Sequence, residues 1–193
     1  MALSILPPHA DRLRLHPVAP RVAPMFCLVL LTASCALASF ALACATPFAA
    51  FAVLAAAMLP LRPALLVVTG AWLVNQTIGF GALHYPVDGN TIAWGVAIGA
   101  AALLATAMSS AVLRTLPQGR TPLALAVTLV AAYAAYELAL LAATPVLGGE
   151  GAFTAAIVTR IGLTSAAWLA GLVAACEIVR LVDPFGHKRA ISA

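Results

Sequence analysis

The side chains able to do chemistry fall in a few places. One long apolar run ends in adjacent carboxamides, Asn75 and Gln76, with Thr77 after them, and the polar stretch that follows supplies His84, Tyr85 and Asp88. Trp94 opens the next run, Tyr133, Tyr136 and Glu137 sit together in a later one, and Arg160 lies in the last. Two neighbouring carboxamides offer several donors and acceptors at one spot. Missing are a nucleophile paired with a base, an HExxH helix, a two-carboxylate site and a Walker sequence. This is chemistry for recognition rather than catalysis, and any use of ATP falls to a partner.

These residues must be positioned by a membrane protein. Of 193 residues, 64% are hydrophobic and 8% charged, against roughly 45–50% and 25% in soluble domains. A water-soluble enzyme, a disordered chain and a disulfide-stapled secreted module are excluded. A spanning helix needs about 20 apolar residues, and the runs are 25–44, 48–59, 64–80, 91–113, 122–144 and 153–179. Pro and Gly punctuate the gaps. The second run is short, in the re-entrant range, and positive charge arbitrates. Arg12, Arg14, Arg21, Arg62, Arg114, Arg120, Arg180, Lys188 and Arg189 all fall on one side if that run crosses, while the loops around Thr46, Asp88 and Glu150 hold no Lys or Arg. Cytoplasmic loops collect such residues. The net charge of +4 is thus a topology signal rather than a nucleic-acid one. The expected fold is all-α, a polytopic bundle of six transmembrane helices with both termini inside. A cytoplasmic segment 1–24, a membrane domain 25–180 and a cytoplasmic tail 181–193 make up the chain. The first run fits a cleaved signal peptide poorly, being long for one.

Helices in lipid associate through small residues. Ala93, Ala97, Ala101 and Ala105 form one stripe, Ala131, Ala135, Ala139 and Ala143 a second, and Ala167, Gly171 and Ala175 a third. Each reads as internal packing, or as a docking face for another membrane subunit. The four cysteines, Cys27, Cys35, Cys44 and Cys176, have no metal-binding spacing and read as packing residues; Cys44 alone reaches the outer face. Glu137 and Arg160 lie at matched depth, about 10 Å below the outer ends of adjacent helices, so an ion pair between them is expected, structural or ligand-contacting. Asn90 or Thr91 can cap the fourth helix, whereas His84, Tyr85 and Asp88 have no such local role. The polar groups crowd the outer half of the bundle, whereas a channel needs them along its whole length. The pattern is a cup open to the outside. The histidines, His9, His16, His84 and His187, lie outside the runs, which disfavours a heme carrier.

Six short helices, an outward polar half and Ala stripes over residues 24–182 resemble the substrate-binding S-components of energy-coupling-factor (ECF) vitamin transporters. The stretch 72–86, with Asn75-Gln76, Gly79-Phe80 and Tyr85-Pro86, is most similar to the BtuM-like cobalamin-binding membrane proteins of Gram-negative bacteria. The resemblance implies capture of cobalamin, a transient ligand rather than a resident cofactor, and a membrane coupling subunit driven by separate ATPases. It implies a ligand site built from Asn75, Gln76, His84, Tyr85, Asp88, Trp94, Tyr133, Tyr136, Glu137 and Arg160. BtuM-like proteins are expected to set a Cys against the corrin cobalt. No Cys lies within 72–86, so His84 or Cys44 becomes the axial-ligand candidate. The rival class is an accessory or assembly subunit of a larger inner-membrane complex, its outer polar cluster meeting a partner protein.

Overall fold

A computed structural model describes residues 13–42 and 45–182. Arg12, Cys44, His9, His187, Lys188 and Arg189 lie outside them. The described residues form a bundle of six α-helices and no strands: α1 (Ala23–Leu42), α2 (Phe48–Met58), α3 (Leu61–Thr77), α4 (Gly89–Thr115), α5 (Thr121–Leu147) and α6 (Ala155–Val182). All but α2 are long and apolar enough to cross a membrane, so the chain is a multi-pass membrane protein.

The short second run resolves as a core helix. Every residue of α2 is buried, as expected of a helix that is apolar all round, and it is packed by α3, α4, α5 and α6. Its first turn meets the second half of α5, where the Phe48 and Tyr136 rings lie 6.4 Å apart. Its last turn accepts from the start of the chain, Arg14 N to Ala57 O at 2.8 Å. It therefore runs antiparallel to α1 and α3. Eleven residues, about 16 Å, suffice because protein, not lipid, surrounds it and no match to bilayer thickness is imposed.

Arg14, Arg21, Arg62, Arg114, Arg120 and Arg180 gather at one end of the bundle, at helix termini or just before α1. By the positive-inside rule that end is expected to face the cytoplasm. Part of the N-terminal segment belongs to it: Leu15 and Val18 are buried in the core. The Arg14 guanidinium, 8% exposed, donates to the carbonyls of Leu113 (3.0 Å), Leu116 (2.6 Å) and Pro117 (2.6 Å). These are carbonyls at the C-terminal end of α4 that have no intrahelical partner of their own.

Helix ends differ from expectation where proline is involved. α3 starts at Leu61, with Pro63 in its first turn, where the missing N–H removes no helical bond. α5 continues through Pro145 to Leu147. The three small-residue stripes divide. Those of α4 and α5 are buried or half-buried, and these two helices make the most extensive contact in the bundle. Ala167 and Gly171 of α6 face outward. Cys27, Cys35 and Cys176 are buried, in line with packing roles; Cys35 Sγ reaches the Ala71 carbonyl at 3.1 Å.

Candidate functional site

At the end opposite the arginines, α3 is prolonged by one π-helical turn, Ile78–Ala82, a form that often marks functional positions. Two backbone bonds close it: Leu83 N donates to Ile78 O (2.9 Å) and Tyr85 N to Gly79 O (3.0 Å). His84, pinned between them, takes φ +54°. This is the position after a helix cap where glycine is usual, and a residue bearing a Cβ costs roughly 1–2 kcal/mol in that region. The imidazole is exposed. Tyr85 folds back over Gly79, where a Cβ would stand 2.8 Å from the Tyr85 ring, and meets Phe80 edge-on at 6.4 Å.

Beneath this loop lies a cavity of about 100 Å³, lined by Phe48, Asn75, Gln76, Phe80, Tyr85, Thr91, Trp94, Gly95 and Ile98. Asn75, Gln76, Tyr85 and Trp94 thus converge as expected, carried by α3, the loop and the start of α4. Their polar groups form one network. Asn75 Nδ2 donates to Ser39 Oγ (2.9 Å) and Thr46 Oγ1 (3.1 Å), and Gln76 Nε2 donates to Asn75 Oδ1 (3.1 Å). Trp72 Nε1 donates to Gly95 O at 2.9 Å, and a Cβ on Gly95 would collide with Gln76 Oε1. Asn75 is therefore the inner, structural member, joining α1, α3 and the approach to α2, while Gln76 stands nearer α4. Among the described residues no charged side chain lines the cavity, so what it can hold is a small, uncharged polar group flanked by aromatic faces. Its volume is that of about three waters at ~30 Å³ each.

Other expected site residues have different surroundings. Asp88 caps α4, a role expected of Asn90 or Thr91: its carboxylate accepts from Thr91 N (2.8 Å) and Thr91 Oγ1 (3.0 Å). Those bonds hold it below the usual carboxylate range. Tyr136 is buried against Phe48 in the floor behind the cavity. Tyr133 braces α5 to α6 by donating to Val158 O at 2.6 Å.

The expected Glu137–Arg160 pair does not form. Among the described residues the ion pair is Arg180–Glu177, at 2.6 Å. The reason is rotational. Val158 and Gly162 are one helical turn apart, and both meet Tyr133. Arg160, two residues from each, falls on the opposite face and is exposed. Glu137 instead interacts with the Tyr133 hydroxyl one turn back on its own helix.

Sequence reading missed Ser39, Thr46, Trp72 and Phe48 as parts of this site. The Thr46-Pro47 step was visible only as a break, and nothing local marks Ser39 as a partner of Asn75. Among the described residues no group of three or more His, Cys, Asp or Glu converges as a metal cage would. Comparisons with protein-family models, curated proteins and solved structures gave no match.

Proposed function

We propose that this protein is a membrane-embedded substrate-binding subunit for uptake of a vitamin of the cobalamin class, taking its ligand at the outer end and relying on a separate coupling subunit and ATPases in a bacterial inner membrane. The observation that carries the reading is the uncharged, aromatic-walled cavity over Gln76 and Asn75, with His84 exposed in a strained conformation beside it. A corrin cannot enter about 100 Å³. One of its carboxamide arms can, pairing with Gln76, while the ring lies across Tyr85 and Trp94 at the rim and His84 approaches the metal. Strain at a non-glycine residue is a pointer to function, since glycine would relieve it.

The test is an ultraviolet–visible spectrum of detergent-purified protein before and after incubation with cobalamin and gel filtration. A retained corrin band is expected. Its position should shift in His84→Gly, a variant that leaves stability unchanged or slightly raised because φ +54° no longer costs anything. Gln76→Ala should weaken retention about tenfold, the loss of a hydrogen bond to a buried partner. A clean protein spectrum would remove cobalamin, and an unshifted band in His84→Gly together with undiminished retention in Gln76→Ala would remove this site.

A further inference from the structure

The cytoplasmic end holds a second, larger cavity of about 570 Å³, within the range of small-molecule sites. Leu59, Leu61 and Leu113 make its apolar wall; Arg62 and Arg114 reach it from two different helices, and Ser110 lies in its side. No acid lines it. Three features make it attractive to an anion. Both guanidiniums are exposed rather than spent on an ion pair. Leu61 and Arg62 open α3, whose N-cap is Pro60 and whose first turn has no side-chain cap, so the positive end of the helix dipole faces the same space. The opposing negative end of α4 is neutralised, because Arg14 has taken the carbonyls of Leu113, Leu116 and Pro117. Ser110 adds a buried hydroxyl with no partner among the described residues, whereas Ser109 beside it bonds the Ala105 carbonyl.

We propose that this pocket binds the phosphodiester of an anionic phospholipid from the inner leaflet, between Arg62 and Arg114 at the start of α3. The leucine wall and the level of the pocket, at the helix ends, favour a lipid over a free phosphate. Basic pockets between helices on this side of a membrane take such headgroups. The site is at the opposite end from the vitamin cavity and stands or falls independently of it.

The experiment is native mass spectrometry of the full chain in mild detergent, titrated separately with dioleoyl phosphatidylglycerol, dioleoyl phosphatidylethanolamine and inorganic phosphate. One phosphatidylglycerol should bind at lower concentration than phosphatidylethanolamine, and millimolar phosphate should not displace it. Arg62→Gln with Arg114→Gln should weaken that binding about tenfold or more. The double lysine variant should retain part of it, and Arg120→Gln, at the same end but outside the pocket, all of it. Three results would each overturn the proposal: equal binding of the two lipids, displacement by phosphate, or undiminished binding in a folded double glutamine variant. The lipid preference of the unmodified protein decides the matter even if the double variant fails to fold.

Discussion

Arg14→Ala tests the largest long-range polar contact in the fold. The guanidinium bonds three carbonyls about a hundred residues away in sequence, and hydrogen bonds to charged groups contribute about 1.5–3 kcal/mol each. Truncation does not lose the full sum, because Leu116 is half-buried and Pro117 exposed, so water can replace the arginine there. The Leu113 carbonyl belongs to a residue only 4% exposed and would be left without a partner, at about 1–3 kcal/mol. The apolar stem of a side chain 8% exposed is lost as well. A net destabilisation of about 2–4 kcal/mol follows. Equilibrium unfolding in mixed micelles of dodecyl maltoside and dodecyl sulfate, followed by tryptophan fluorescence, measures it. Arg14→Lys should recover only part, since a point charge cannot fork across three acceptors, and Arg21→Ala, at an exposed position, should change little. An Arg14→Ala variant within about 0.5 kcal/mol of the parent would refute the argument that this segment locks the inner ends of α2 and α4.

Asn75→Ala should lower stability by about 1 kcal/mol, the sum of two tertiary bonds at membrane values, whereas Gln76→Ala should act mainly on ligand retention; the same unfolding assay ranks them. Glu137→Gln and Arg160→Gln should have additive effects within about 0.5 kcal/mol, and exchanging the two residues should rescue nothing, because they do not meet; a clear rescue would restore the ion pair. Asp88 has a lowered pKa in the folded state, so its contribution is intact above the ordinary carboxylate value near 4 and fades as pH falls through that value and below. Asp88→Asn, an equally good cap, should therefore flatten the decline in melting temperature between about pH 5 and pH 2 without altering stability at neutral pH. An unchanged decline would place the acid sensitivity elsewhere.

Much of the architecture was legible from the residues because membrane insertion is governed by local sums. Hydropathy over a window marks the apolar segments, proline and glycine mark their ends, and arginine placement assigns the inner face, none of which needs a neighbour in space. The convergence of Asn75, Gln76, Tyr85 and Trp94 was readable for the same reason: all lie within about two turns of the outer end of consecutive segments. What depends on rotation about a helix axis was not readable. Depth alone paired Glu137 with Arg160, but the Tyr133 contact with Val158 and Gly162 turns Arg160 to the opposite face. Composition showed α2 to be apolar and short, and only its enclosure by four other helices explains how a segment of that length serves in a bundle. The tertiary structure likewise joined Arg14 to α4, because an arginine's partners are whichever carbonyls packing brings within reach, and packing here is set by small residues whose helical rotation no single segment determines.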